Sequence, residues 1–109
     1  MTNLGKFVHY DLMTTDTGRA RAFYTELLGW TVTEYDMGLG GMYQMLEANG
    51  RGFGGIVCLD PTAGAPSHWI TYISTADLAA CCSKAESLGG SVRVAPTLIP
   101  NVGTYAVLE

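Results

Sequence analysis

The sequence predicts an α+β fold made of two βαβββ modules, the second of them lacking its last strand. Three observations carry this. Two amphipathic helical stretches each end in glycine, and short runs rich in β-branched and aromatic residues surround them. The two halves also superpose at an offset of 60, which matches Thr15 with Thr75, Leu28 with Leu88, Gly29 with Gly89 and Val32 with Val92. A period this long exceeds that of solenoid repeats and points to one duplicated supersecondary unit. A chain of 109 residues holds a single domain, residues 1–109, with module one at 5–60 and module two at 67–109.

The first element is "FVHYDLM". In a strand alternate side chains share a face, so His9 and Asp11 point one way while Val8, Tyr10 and Leu12 point the other. In "TTDTGRARAFYTELLGW", Ala20, Phe23, Tyr24, Leu27 and Leu28 fall at helical spacing and form one apolar stripe. Thr15 or Asp16 caps the start, Gly29 sits where a left-handed end residue belongs, and Arg19, Arg21 and Glu26 face water. The runs "WTVTEY", "MYQMLEA" and "GGIVCL" then read as strands joined by glycine-rich hairpins.

The second half repeats the scheme. "HWITYI" is a strand, and "STADLAACCSKAESLGG" is a helix with Leu78, Cys81, Cys82, Ala85 and Leu88 as its stripe and Gly89 and Gly90 as its close. "SVRVAP" and "TYAVLE" are strands, after which the sequence stops. One motif is set aside on physical grounds. "GRGFGG" satisfies the dinucleotide-binding pattern, but that pattern needs a helix next, whose N-terminus receives the pyrophosphate. A strand pattern follows instead, so this is a hairpin with positive φ values.

Composition excludes several classes. The hydrophobic share of 48% and charged share of 15% belong to a compact protein rather than a disordered one. Net charge is -4 and the few basic residues are scattered, so nothing is arranged to neutralise phosphates and no nucleic-acid partner is expected. No apolar run approaches the roughly 18 residues of a membrane span, and "MTNLGKF" lacks the pattern of a leader, so a cytoplasmic protein with no membrane partner is expected. Three cysteines, two of them adjacent, form no disulfide framework and no zinc spacing, and read as buried filler.

The opening "HYDLMTTD…ARAFYTELLGW" and the segments "HWITYISTADLAACCSKAESLGGSV" and "IPNVGTYAVLE" together resemble the vicinal oxygen chelate superfamily, that of glyoxalase I, bleomycin- and fosfomycin-resistance proteins and extradiol dioxygenases. The resemblance covers nearly the whole chain and is strongest at "FYTELLGW". It implies that the two modules curl into an incomplete barrel around a cleft. It also implies a divalent cation, Mn, Fe, Co, Ni or Zn, held by His and Glu side chains and open to a bidentate substrate.

By position His9 matches the first metal-binding His of that family. The partners do not follow. The offset of 60 aligns His9 with Trp69, His68 is one residue away, and counting back from the Gly-Gly pair lands on Ile70. "GGIVCL" offers only Cys58, with Asp60 at its exit, and the strand that would supply a fourth ligand is missing. No cofactor is therefore fixed by the sequence, and His9 also reads as a cleft histidine that hydrogen-bonds a ligand or water. Asp11 on the same face either orients His9, acts as a base, or is a solvated carboxylate.

Among the aromatic residues Trp30, Tyr35, Tyr43, Trp69, Tyr72 and Tyr105, most are core and a few line the cleft, where they suit a flat or apolar ligand. Met37, Met42 and Met45 would give that cleft an adaptable wall. The ligand-binding residues expected are His9, Asp11, Tyr43 and Trp69. The first functional reading is a metal-free module that binds a small, aromatic compound, and the alternative is a metal-dependent glyoxalase- or dioxygenase-like enzyme. A homodimer is expected in either case, because "TYAVLE" exposes an unpaired strand edge.

Overall fold

A computed structural model describes residues 4–36, 42–99 and 103–109. Met37 and the segment 100–102 lie outside them. The elements run β1 (Phe7–Thr14), α1 (Thr17–Leu28), β2 (Thr31–Asp36), β3 (Met42–Ala48), β4 (Arg51–Cys58), a single 3-10 turn (Pro61–Ala63), β5 (His68–Ile73), α2 (Leu78–Ser87), β6 (Val92–Ile99) and β7 (Gly103–Leu108). The protein is a mixed α+β chain with a five-stranded sheet, ordered β2-β3-β4-β1-β5, and a two-stranded sheet, β6-β7. No closed barrel forms among the described residues.

The chain divides into two compact units. One is Lys6–Ile73 and holds the five-stranded sheet with α1; the other takes Ser74–Glu109 and the N-terminal residues through Gly5. β5, the first strand of the second module by sequence, belongs to the larger unit because it pairs antiparallel with β1. On its other side β1 runs parallel to β4, and β2, β3 and β4 form an antiparallel meander. Among the described residues no helix is long and apolar enough to cross a membrane.

The meander closes through a two-residue turn. Ala48 pairs with Arg51, and Asn49 (φ 54°) and Gly50 (φ 77°) make the bend. Positive φ at both positions matches the twist of the flanking strands, which is why Asn-Gly serves here. The stretch read as a hairpin is thus a turn followed directly by a strand, and Gly52, Gly54 and Gly55 lie within β4.

The core of the larger unit sits on one face of the sheet. Leu12 pairs with Ile56 and Leu46 with Gly54, so these apolar chains stand side by side; Leu46 is fully buried. Burying such a side chain contributes about 1.5–3 kcal/mol. α1 belongs to the same face, since Arg21 Nη1 lies 3.3 Å from Gln44 Oε1 and 3.8 Å from Glu34 Oε2.

Asp16 is the residue that caps α1, its carboxylate accepting from the Arg19 amide at 3.0 Å, and Gly29 ends the helix at φ 71°. The apolar stripe corrects the sequence expectation. Thr17, Ala20, Arg21, Tyr24 and Thr25 are the half-buried positions, whereas Phe23, Leu27 and Leu28 are more than half exposed. Arg21, expected to face water, lies with its guanidinium within reach of Gln44 and Glu34 on the sheet and stays partly exposed. In α2, capped by Asp77 through the Ala80 amide at 3.0 Å, Cys82 is buried while Cys81 and Leu88 are exposed. The cysteines are all free, but only Cys82 is the buried filler expected of the three, since Cys58 is exposed as well.

Candidate functional site

The second face of the five-stranded sheet carries a cluster of polar groups beside apolar ones such as Met45 and Ile70. Register places His9 opposite Tyr72, Asp11 between Ile70 and Gly55, and Gly55 opposite Met45. Partners in register share a face, so His9, Asp11, Tyr43 and Tyr72 stand together, opposite Leu12 and Leu46. Farther along, Thr33 Oγ1 donates to Glu47 Oε1 at 2.7 Å on the same face.

Three of these groups bond to one another. The Tyr43 hydroxyl donates to Asp11 Oδ1 at 2.7 Å, and His9 Nε2 lies 2.8 Å from the Tyr43 oxygen and 3.1 Å from Asp11 Oδ1. The network assigns the protons. A carboxylate only accepts, so the single phenolic hydrogen goes to Asp11, and His9 Nε2 must then be an N–H that donates to both oxygens. The ring nitrogen facing away, Nδ1, is left as the atom a ligand can address. The His9 ring also lies 5.7 Å from that of Tyr72.

Burial shapes the charges. Asp11 is only 7% exposed, and burial alone would push its carboxyl up. The hydrogen bond from His9, that from Tyr43, the charge His9 can carry and a hydrogen bond from Tyr72 together outweigh burial and hold it below the ordinary value. Tyr43 moves the other way: burial first, then the Asp11 carboxylate beside it, raise its phenol far above the ordinary value of 10.0. The phenol is therefore a fixed donor rather than a proton source.

This constellation depends on a glycine. Tyr43 is on β3 and Asp11 on β1, with β4 running between them. The Tyr43 ring crosses β4 at Gly55, where an added Cβ would overlap the phenol oxygen and its ring carbon. Next to it, a Cβ on Gly54 would overlap the Tyr10 carbonyl. No periodicity in the sequence signals this, although the Gly-Gly pair in a strand, where glycine has no other use, was available as a hint of close approach.

Of the four ligand-binding residues expected from sequence, the structure brings His9, Asp11 and Tyr43 together and leaves Trp69 apart. Trp69 pairs with Leu12 and so faces α1. There Tyr24 stacks on Trp30 at 5.6 Å, Trp69 meets Tyr24 edge-on at 5.5 Å, and Tyr10, Trp30, Phe53 and Trp69 line a cleft of about 320 Å³. The helix caps explain the misalignment. Asp16 and Asp77 are 61 apart (77 − 16), not 60, which aligns His9 with Ile70. His68 pairs with Met13 and shares the polar face, but it is exposed and its Nδ1 bonds the Pro66 carbonyl at 2.7 Å. Sequence reasoning missed Tyr72 and Gly55 as parts of this site.

The residues present do not fit a metal centre. Among the described residues no group of three or more His, Cys, Asp or Glu could hold an ion. Cys58 pairs with Thr14, which by alternation lies on the α1 face, and Asp60 bonds the Thr62 amide and hydroxyl, both at 2.8 Å.

Comparison with known proteins matches residues 6–109 to the Glyoxalase/Bleomycin resistance protein/Dioxygenase superfamily. The chain is 35% identical over 106 residues to a Mycobacterium tuberculosis (strain CDC 1551 / Oshkosh) protein named "Putative glyoxylase CFP32", a match covering 96% of this chain and 40% of that protein. It is 29% identical over 112 residues to "Anthracycline biosynthesis protein DnrV" of Streptomyces peucetius, covering 90% of this chain and 40% of that one. The chain thus spans about 40% of the length of the curated relatives it matches.

Proposed function

We propose a small-molecule-binding role for this chain, which belongs to the Glyoxalase/Bleomycin resistance protein/Dioxygenase superfamily. The ligand is a small, oxygenated, aromatic compound bound without a metal on the polar face of the five-stranded sheet. The observation that carries the reading is the closed network in which His9 Nε2, Asp11 Oδ1 and the Tyr43 hydroxyl bond to one another, leaving His9 Nδ1 for the ligand. Tyr72 supplies the aromatic wall beside it. The name of the Streptomyces relative, a protein of anthracycline biosynthesis, supports a flat oxygenated ligand.

A second reading is favoured by the name of the mycobacterial relative: an enzyme of the glyoxylase type acting on a small oxygenated substrate. His9 would then take the substrate proton at Nδ1 while Asp11 stabilises the imidazolium. Thermal unfolding against a panel of catechols, quinones and dicarbonyls separates the readings. A binder at about 100 times its dissociation constant adds about 2.7 kcal/mol. Binding that leaves the compound intact supports the first reading, chemical conversion supports the second, and equal shifts in the parent and Asp11→Asn would overturn the placement of the site. We also propose a homodimer, supported by β5 standing at the edge of its sheet and by the two-stranded β6-β7 sheet.

A further inference from the structure

The cleft of about 320 Å³ on the α1 face is not used by the site above, and every side chain that lines it is aromatic: Tyr10, Trp30, Phe53 and Trp69. Tyr10 and Trp69 are each 38% exposed, so the cleft is open without rearrangement. The angles between the rings decide what shape fits. Trp30 meets Phe53 at 4.7 Å and 64°, and Trp69 at 6.2 Å and 86°. A flat ligand needs two parallel rings about 7 Å apart, one van der Waals layer on each side of it. The parallel pair at this cleft, Tyr24 on Trp30, is closed at 5.6 Å. Rings set at steep angles form corners instead, and a compact tetrahedral group fills a corner while touching several rings at once.

Charge separates a cationic occupant from a neutral one. Ring faces carry the negative end of the π quadrupole and attract cations within about 6 Å. The chain has a net charge of -4, which adds to that attraction. Arg21, the basic group of α1 that reaches the sheet, stands 3.8 Å from Glu34 Oε2 and 3.3 Å from Gln44 Oε1, so its own charge is offset. The walls of the cleft are apolar, and a primary ammonium would bring three N–H donors with nothing there to accept them. A trimethylammonium group brings no donor. We propose that the cleft of Tyr10, Trp30, Phe53 and Trp69 binds the quaternary ammonium group of a free small molecule. This site lies on the opposite face of the sheet from His9, Asp11 and Tyr43, and its occupant is of a different chemical class.

Trp30 and Trp69 are the two tryptophans of the chain, so intrinsic fluorescence of the full chain reads this cleft directly. The titrants are choline and its uncharged isostere, the alcohol in which a tert-butyl group replaces trimethylammonium, at matched ionic strength. Choline should change the tryptophan emission at a midpoint about fivefold or more below that of the isostere, as a partly desolvated cation over aromatic faces does. Phe53→Leu keeps apolar bulk and both reporters but removes one ring, and should narrow that difference by about twofold or more. Tyr10→Leu should do the same from β1, which keeps the test decisive if Phe53→Leu fails to fold.

An isostere that binds as tightly as choline would overturn the proposal, and so would a choline titration that leaves the emission unchanged. Folded variants that keep the full difference between the two titrants would overturn the placement of the cation. Vesicles of phosphatidylcholine carry the same headgroup on a lipid surface. Protein that sediments with them and ignores choline would overturn the assignment to a free solute.

Discussion

Gly55 lies beneath Tyr43, and the space its missing side chain leaves is the space the phenol occupies. Three strands meet at that point: β3 carries the tyrosine, β4 the glycine and β1 the carboxylate that receives the hydroxyl at 2.7 Å. The site is held together across the sheet rather than along one strand.

Removing the hydroxyl exposes what it contributes. Tyr43→Phe takes one donor from a buried carboxylate and the acceptor from His9 Nε2, which costs about 1.5–3 kcal/mol for a hydrogen bond to a charged group. Urea unfolding should show the midpoint falling with the slope unchanged. A variant as stable as the parent would mean that water replaces the phenol at no cost.

The two shifted groups of the site, Asp11 and Tyr43, give stability opposite dependences at the two ends of the pH scale. Asp11 is held below the ordinary carboxyl value. Its contribution is complete above that value and is lost as pH falls through the folded one. Acid unfolding of Asp11→Asn should therefore be less steep than that of the parent.

Tyr43 is raised above 10.0, so its contribution is complete below that value and is lost as pH climbs beyond it. Spectrophotometric titration of the phenols should show the same number ionising near pH 10 in the parent and in Tyr43→Phe. A parent with one phenol more at that pH would place Tyr43 in water.

Much of this architecture was legible in the sequence, for physical reasons that differ by element. α1 and α2 announced themselves through spacing and capping carboxylates, and β3 and β5 appear at the bounds their residue patterns gave. The pairing of His9 with Asp11 followed from strand alternation alone. The direction of α1 did not, because the sheet residues it meets, Gln44 and Glu34, are distant in sequence. Trp69 was aligned with His9, whose face it does not share, because a 60-residue offset absorbs a one-residue difference between the modules, and one residue reverses a side chain's face. The role of Gly55 depends on which ring lies across it, and that is known only once β3 and β4 are in register.

The neighbouring glycine tests the close approach of β1 and β4. Gly54→Ala puts a Cβ into the Tyr10 carbonyl, a backbone clash with no flexible side chain to give way. The expected loss is at the exceptional end for a single substitution, about 4 kcal/mol or more. Leu46→Ala, which empties the one fully buried large side chain among the described residues, should cost about 2–5 kcal/mol. Circular dichroism during chemical unfolding ranks the two, and a Gly54→Ala protein as stable as the parent would contradict the register of β1 and β4.

The central claim is that a ligand binds on the His9–Asp11–Tyr43 face. The direct measurement is chemical-shift mapping with a library of small oxygenated aromatic compounds. Shifts are expected to gather on His9, Asp11, Tyr43, Gly55 and Tyr72. Shifts gathered instead on Tyr24, Trp30, Phe53 and Trp69 would contradict it and place the site on the opposite face of the sheet.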